Sequence, residues 1–342
     1  MLILFSKFRL ITYTLIKNLI FLKYGGNIMA LYDNETIFIA KIAWLYYVQG
    51  LTQDNIGHKL GCSRPTITRY LAKAKELGIV EIKIAHQYRT CFDTEYAIKT
   101  KFALQEVIVV PSGNTLIENL RGVGKACADY LQQTLNNQDI LGIAWGTSIY
   151  EVGKVLHLKK PLDLTVIQLM GGLNSSEKIN PEEIVKLIAT KLNASGIWLN
   201  TPAIVGSSKI KKALLSDPGV SSVLAKAQHC TKSLFGLGEI SLNSSLIVSN
   251  GLTITEMKQL QVLGAVGNIL GQFFNINGHL IHSFLDDRLI AAPLETLQLI
   301  PIRIGVSSGQ FKVDAMLGAL RGGFINVLIT DEDTAQEVLK RS

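Results

Sequence analysis

The sequence predicts an α/β chain in two parts: a small helical unit ending in a short strand, then a large domain built on a mostly parallel sheet. Three observations predict it. Helical periodicity punctuated by Gly and hydroxyl residues fills the stretch from Thr36 to Leu77. Behind it, apolar runs of strand length alternate with helix-length segments to the end of the chain. The charge is also divided. Residues 1–28 carry four bases and no acid, residues 29–90 carry eight bases and five acids, and residues 91–342 are balanced at 22 of each. The net +7 therefore sits in the first quarter of the chain, where a polyanionic partner would bind.

Length and composition set the outer limits. A chain of 342 residues suits two domains, at roughly 150 residues each. An apolar content of 48% excludes intrinsic disorder. Cys62, Cys91, Cys127 and Cys230 have no paired spacing, so a reducing cytoplasm is expected, without a disulfide framework, a metal centre or a cofactor.

Residues 1–28 are apolar and basic, yet their longest uncharged run, from Leu10 to Ile16, is seven residues, against the ~20 of a membrane span. No small-residue cleavage site follows. Gly25-Gly26-Asn27-Ile28-Met29 back-translates readily to a ribosome-binding sequence ahead of a start codon. The segment is therefore expected to be a non-native upstream extension, with Met29 the true first residue; a stray amphipathic helix is the alternative.

From Thr36 to Val48, the residues Ile37, Ala40, Trp44, Leu45 and Val48 recur at helical spacing, and Gly50 ends the helix. Trp44, Tyr46 and Tyr47 are expected in core or dimer packing rather than stacked on bases. Thr52 caps a second helix over 53–60, with Gln53 and Asp54 in its first turn. Ile56 and Leu60 are buried there, and Gly57 is kept small where another helix would cross. Gly61 makes the turn, with Cys62 as its apolar plug. Ser63 caps a third helix over 64–77, and Pro65 sits in its first turn. Ile67, Tyr70, Leu71 and Ala74 form the dry stripe of that helix. Arg64, Thr66, Thr68, Arg69 and Lys73 point elsewhere. Residues 59–75 contain five bases and no acid. Gly78 stops the helix, and Ile79-Val80-Glu81-Ile82-Lys83-Ile84 alternates as a strand, a wing.

A helix with one dry face and one hydroxyl-plus-guanidinium face fits the major groove, where Arg reads guanine bidentately and Thr meets bases or the thymine methyl. Residues 29–88 are thus read as a winged helix-turn-helix on double-stranded DNA. Its contacting residues are Thr52, Gln53, Ser63, Arg64, Thr66, Thr68, Arg69 and Lys73. A three-helix subdomain with a solvated basic face is the alternative; the agreement of turn, cap and acid-free window weighs against it.

Residues 88–94 are expected to link this unit to the large domain, 89–342. There, strands over 106–110, 139–144, 164–170, 197–199, 233–237, 303–306 and 326–330 alternate with helices over 115–135, 148–156, 181–192, 256–263 and 313–320. Asp331-Glu332-Asp333 starts a last helix. A parallel sheet covered on both faces binds ligands at the carboxyl ends of its strands. Gly and hydroxyl residues gather at four such ends: from Gly142 to Ser148; in Gly171-Gly172-Leu173-Asn174-Ser175-Ser176 with Asn180 beyond; in Gly236-Leu237-Gly238-Glu239; and in Ser307-Ser308-Gly309-Gln310-Phe311-Lys312. Gly146 lets an anion reach the backbone, the Thr147 and Ser148 hydroxyls join the helix N–H groups in holding phosphate, and the Lys312 ammonium neutralises it. One such turn is an ordinary strand-to-helix loop. Four in one domain describe a polar, phosphate-accepting crevice.

From residue 36 to 340 the chain resembles the SorC family of bacterial sugar-binding transcriptional regulators, related to the DeoR-type regulators. In the first unit the resemblance rests on Lys41-Ile42-Ala43-Trp44-Leu45-Tyr46-Tyr47, Gly50-Leu51-Thr52-Gln53 and Leu60-Gly61-Cys62-Ser63-Arg64. In the second it rests on Gly142-Ile143-Ala144-Trp145-Gly146, Asn180-Pro181, Gly264-Ala265-Val266-Gly267, Asp286-Asp287-Arg288 and Leu320-Arg321-Gly322-Gly323. The resemblance implies a Rossmann-like sugar-phosphate-isomerase-type effector domain, assembled as a homo-oligomer, a dimer or tetramer. It implies phosphate on the loop Gly146-Thr147-Ser148 and further effector contacts at Asn180, Glu239, Asn268 and Lys312. Asn268 and Asn275 stand where the family often has acids, and Ser307-Ser308 replaces a more Ala/Gly-rich turn.

The function that follows is regulation of a carbohydrate-catabolism operon by a sugar or sugar-phosphate effector, with operator DNA as the other partner and no membrane. The competing class is an enzyme, a sugar-phosphate isomerase or deaminase fused to a DNA-binding module. It would need a placed base. His279 and His282, near Asp286 and Asp287, are the cluster to weigh, but Asn277-Gly278-His279 reads first as a turn, and Arg288 offers the acids a structural ion pair. No catalytic residue is assigned.

Overall fold

The computed structural model describes residues 35–82, 85–173, 179–249 and 251–342. The chain divides into two compact units, between Ile84 and Ala85. The expected upstream extension, the start at Met29 and the turn residues Asn174, Ser175 and Ser176 lie outside the described residues.

The first unit holds α1 (Glu35–Tyr47), α2 (Gln53–Leu60) and α3 (Arg64–Glu76) around a small apolar core. The buried stripe of α3 is Ile67, Tyr70, Leu71 and Ala74, as the sequence predicts, because charged residues mark its other face. In α1 the buried residues are instead Phe38, Ile39, Ile42, Ala43 and Leu45, while Ile37, Trp44 and Val48 are exposed. That helix is apolar nearly all round, so periodicity cannot choose a face; packing against α3 does, with the Phe38 ring edge-on to Tyr70 at 5.6 Å. Gly57 is required by the turn rather than by a crossing helix: a Cβ there would stand 2.6 Å from the Cys62 carbonyl oxygen. The expected wing strand does not form over residues 79–82. The Val80 N–H donates to the Ala74 carbonyl at 3.0 Å, and Ile79 and Val80 pack on the helical core. An extended segment without a neighbour has no ladder to hold it. Lys83 and Ile84 lie outside the described residues.

The second unit opens with α4 (His86–Phe102), which replaces the expected linker at 88–94. Cys91, Thr94 and Ile98 are buried along it, against β1 (Glu106–Val110) and the last helix. There follow α5 (Leu116–Thr134), β2 (Ile140–Ile143), α6 (Thr147–Val155), β3 (Thr165–Gln168), α7 (Pro181–Leu192) and β4 (Ser195–Ile197). Next come α8 (Ser208–Ser216), α9 (Pro218–Ala227), β5 (Lys232–Gly236), β6 (Gly238–Glu239), α10 (Ser245–Val248), α11 (Ile254–Val262), β7 (Gly267–Ile269), β8 (Gln272–Phe274) and β9 (Leu280–Ile281). The chain ends through α12 (Leu294–Leu297), β10 (Ile302–Val306), α13 (Val313–Arg321), β11 (Val327–Asp331) and α14 (Glu332–Arg341).

Seven strands form one parallel sheet in the order β1-β11-β10-β5-β2-β3-β4. They are the seven the sequence predicts, each within two residues of its expected bounds. Leu141, Ile143, Val166, Leu234, Ile304, Val306, Leu328 and Ile329 are buried, which is why these strands read as continuous apolar runs. A four-stranded antiparallel sheet, β6-β7-β8-β9, was not expected. From β2 the chain winds outward through β3 to β4; from β5 it winds the other way through β10 to β11. The winding reverses between β2 and β5, and ligands bind outside the carboxyl ends of strands at such a reversal.

The amino ends of the same two strands are clamped by a buried ion pair. Lys232 Nζ lies 2.5 Å from Asp139 Oδ2, the Thr231 hydroxyl donates to Asp139 Oδ1 at 2.6 Å, and the Asn136 N–H donates to Oδ2 at 2.8 Å. Burial opposes the Asp139 charge, but the hydrogen bonds from Lys232, Thr231 and Asn136 outweigh it and hold the carboxyl below its ordinary range. A depressed pKa contributes stability that is complete above the unfolded value of about 4 and is lost as pH falls through the folded value. Asp139→Asn is therefore expected to flatten the loss of thermal stability below about pH 4, where wild type sheds this contribution. Circular-dichroism melts from pH 6 to 3 measure it; parallel wild-type and variant curves would show that the clamp carries no acid sensitivity.

Candidate functional site

A cleft lies at the point of reversal. It is lined by Trp145, Gly146, Thr147 and Ser148 after β2, by Gly236 to Glu239 after β5, by Ser244, Ser245 and Leu246, by Asn268 of β7 and by Lys312 ahead of α13. Its unfilled space is about 440 Å³, open mouth included. Gly146 adopts φ 125° and ψ 166°, a region essentially reserved for glycine, and so turns the chain from β2 directly into α6. The first N–H to close a turn of α6 is that of Tyr150, on the Gly146 carbonyl at 3.0 Å. The N–H groups of Thr147, Ser148 and Ile149 precede it and have no partner within the helix, which is the ordinary anion-binding end of a helix dipole. Ser148 is buried and Thr147 exposed.

Across the cleft, the Lys312 ammonium meets the Glu239 carboxylate and donates to the Leu237 carbonyl at 2.9 Å. Both side chains are largely buried, at 16% and 10% exposed. The pair joins the loop after β10 to the strand after β5. β6 and β7 run antiparallel with Gly238 opposite Asn268, and a Cβ at Gly238 would lie 2.3 Å from the Asn268 amide nitrogen. Glycine thus lets the Asn268 amide lie against the backbone beside Glu239. One side of the cleft offers a helix end and two hydroxyls, which suit an anion, and the Lys312 ammonium faces them from across it. Beside that ammonium stand a carboxylate and an amide, which suit hydroxyl groups.

Six of the seven expected effector residues therefore converge: Gly146, Thr147, Ser148, Glu239, Asn268 and Lys312. Asn180 does not line the cleft. Its side chain accepts from the Glu182 N–H at 3.4 Å to cap α7 and donates to the Leu173 carbonyl at 2.9 Å. Gly171 packs against the Thr201 and Pro202 backbone, 2.6 Å from where its Cβ would be. Ser307 and Ser308 are buried beside the cleft rather than on it. Sequence reasoning missed Ser244, Ser245 and Leu246; they follow no strand end and no spacing rule, so nothing in the chain marks them before it folds.

His282 Nδ1 stands 3.0 Å from Asp286 Oδ2, but the His282 side chain is 88% exposed and the pair borders a different, more open depression. The His279 N–H donates to Asn275 Oδ1 in a hairpin turn. Arg288 pairs with Glu256 at 2.8 Å rather than with the acids beside it.

On the first unit, Thr52 and Ser63 act as helix caps, their hydroxyls accepting from the Asn55 N–H at 3.3 Å and the Thr66 N–H at 3.4 Å. One flank of α3 is tied to α2: the Thr68 hydroxyl donates to Gln53 Oε1 at 2.7 Å, and Arg64 faces Asp54 at 3.6 Å. The opposite flank is tied to α1 by Lys73 and Glu35 at 2.8 Å. Arg69 lies between those flanks with its guanidinium 5.5 Å from the Tyr70 ring, and has no carboxylate partner among the described residues. Trp44 is 43% exposed, with the Lys41 ammonium 4.4 Å from its ring, so it is not core. Among the described residues no helix is long and apolar enough to cross a membrane.

Comparison with known proteins follows the division into two units. Residues 86–340 match the family described as "Putative sugar-binding domain". The chain is 33% identical over 317 residues to the uncharacterized transcriptional regulator YjhU of Escherichia coli K12, covering 91% of this chain and 96% of that one. It is 31% identical over 311 residues to the transcriptional regulator LsrR of the same strain, covering 88% and 94%. It is 30% identical over 303 residues to the deoxyribonucleoside regulator of Bacillus subtilis, covering 87% and 95%. The full-length sorbitol operon regulator SorC of Klebsiella pneumoniae superposes with a TM-score of 0.70 at 26% identity, covering 90% of this chain and all of that one. The similarity runs across nearly the whole length of these regulators, and the chain belongs to the SorC family of sugar-binding transcriptional regulators.

Proposed function

We propose that the protein binds operator DNA through α3 and that a sugar phosphate seated in the cleft between β2 and β5 controls this binding. The observation that carries the reading is the cleft itself. The amino end of α6 with Thr147 and Ser148 faces the Lys312–Glu239 pair, so anion-binding and hydroxyl-binding groups share one enclosure. The relatives' names, a sorbitol operon regulator and a deoxyribonucleoside regulator among them, support a carbohydrate-catabolism operon as the target. A homo-oligomer in the cytoplasm, presenting two or more copies of α3 to paired half-sites, completes the reading.

A ligand shifts such an equilibrium only through unequal affinity for the DNA-competent and DNA-released states. The test is a titration of promoter-fragment binding with sugar phosphates, the matching free sugars and inorganic phosphate. At least one phosphorylated sugar is expected to change the apparent affinity tenfold or more, about 1.4 kcal/mol of coupling. No response to any of them would remove the sensing half of the reading. The enzyme alternative places its histidine–carboxylate pair outside the cleft and in solvent, where it meets none of the anion-binding groups. Turnover of a bound sugar phosphate would restore it.

A further inference from the structure

Among the described residues, buried hydroxyls without a hydrogen-bond partner are found at Thr201, Ser233, Ser244, Ser307, Ser308 and Thr330. Ser244 alone among these lines the cleft. It is 2% exposed and stands at the start of α10, with φ −63° and ψ 149°. The same extended backbone lets Thr52, Ser63, Thr115, Ser207 and Thr253 turn their hydroxyls onto helix N–H groups. The Ser244 hydroxyl makes no such bond. Leaving a buried hydroxyl unpaired is unfavourable, and on the wall of a cavity a bound molecule supplies the partner that the chain does not.

We infer that Ser244 is a specificity contact of the cleft: its hydroxyl bonds a hydroxyl or ring oxygen on the carbon skeleton of the bound sugar phosphate, not the phosphate itself. The inference rests on the sugar-phosphate reading of this cleft and deepens it. The anion already has its donors in the α6 N–H groups, Thr147, Ser148 and Lys312. Ser244 brings one small, neutral group that both donates and accepts, which suits a polyol and adds nothing to charge neutralisation. The residue therefore separates sugars of equal charge from one another. It lies outside every motif that carries the family resemblance.

The test is isothermal titration of the full-length protein with inorganic phosphate, glycerol 3-phosphate, ribose 5-phosphate, 2-deoxyribose 5-phosphate, glucose 6-phosphate and sorbitol 6-phosphate. Wild type is compared with Ser244→Ala and Ser244→Thr. Deleting one neutral hydrogen bond is expected to weaken the best-bound sugar phosphate about three- to tenfold. Inorganic phosphate should stay within twofold, and Ser244→Thr should recover at least half of the loss. The thermal midpoint of unliganded Ser244→Ala should equal or exceed that of wild type, because the substitution removes a hydroxyl that no group in the chain satisfies. Ser244→Ala binding every sugar phosphate as wild type does would overturn the assignment and leave the sensing reading intact. Equal losses for inorganic phosphate and the sugar phosphates would also overturn it, since Ser244 would then serve the anion or the scaffold. Wild type that binds none of the sugar phosphates overturns both.

Discussion

Arg69→Ala is expected to weaken specific promoter binding by roughly 5- to 150-fold for each copy of α3 engaged, the worth of one bidentate Arg–guanine contact at about 1–3 kcal/mol. The packing of the first unit singles this residue out. Arg64 and Lys73 each face a carboxylate of their own unit, Asp54 and Glu35, and the hydroxyl of Thr68 is held by Gln53. Those contacts are exposed and weak, but they aim the flanking side chains at α2 and α1. Arg69 is placed near the middle of the face opposite Ile67, Leu71 and Ala74, its guanidinium 5.5 Å from the Tyr70 ring and held by no carboxylate, so it is free to turn into a groove in which the helix lies. Arg69→Lys keeps the charge but loses the planar fork, so it should retain non-specific binding and lose discrimination. Lys73→Ala should weaken all DNA nearly alike and lower the salt slope by about one phosphate contact. Competition of promoter fragments against random duplex at several salt concentrations measures all three. Arg69→Ala and Lys73→Ala with the same specificity ratio would show that α3 does not dock through this face.

The large sheet was legible because its strands are buried on both sides, and burial on both sides writes an unbroken apolar run into the sequence. The antiparallel sheet was not. Its strands are two or three residues long, and its tightest turn uses Leu270 at φ 54° followed by Gly271 at φ 74°. A buried leucine in the left-handed region is not a turn signal that residue preferences reveal. α4 was hidden for a different reason: its buried face is Cys91, Thr94 and Ile98, too polar and too sparse to show against the charged residues between them. α1 failed in the opposite sense, being so apolar that the side facing the core could be chosen only by its neighbours.

The cleft shows the same division. Gly146, Thr147 and Ser148 were legible because a glycine between a strand and a helix has a backbone task that no other residue performs. Lys312 and Glu239 lie 73 residues apart, and only the adjacency of β5 and β10 brings them together. Asn180 stands off the cleft wall as a helix cap, a task that Asn before Pro at a helix start performs as well as it would hold a ligand, so the sequence alone does not choose between them.

Lys312→Met is expected to have the largest effect on ligand binding and on the stability of the second unit together. A hydrogen bond to a charged group contributes about 1.5–3 kcal/mol, so a phosphate ester should bind roughly 10- to 150-fold more weakly. The same change leaves the Glu239 carboxylate buried and unpaired, and breaking a largely buried pair from one side costs up to about 3 kcal/mol, less where solvent reaches it. The two losses can be separated. Adding Glu239→Gln to Lys312→Met removes the stranded charge and should restore most of the thermal midpoint, while phosphate-ester binding stays low. Glu239→Gln alone frees Lys312 from its internal counter-charge. It should tighten inorganic phosphate severalfold while weakening sugar phosphates that use the carboxylate to hold their hydroxyls. Melting curves and calorimetric titrations of the four proteins close this double-mutant cycle. If Glu239→Gln left phosphate affinity unchanged and the double variant stayed as unstable as Lys312→Met, the pair would be a structural tie between β6 and the loop after β10. The anion would then rest on the α6 end alone.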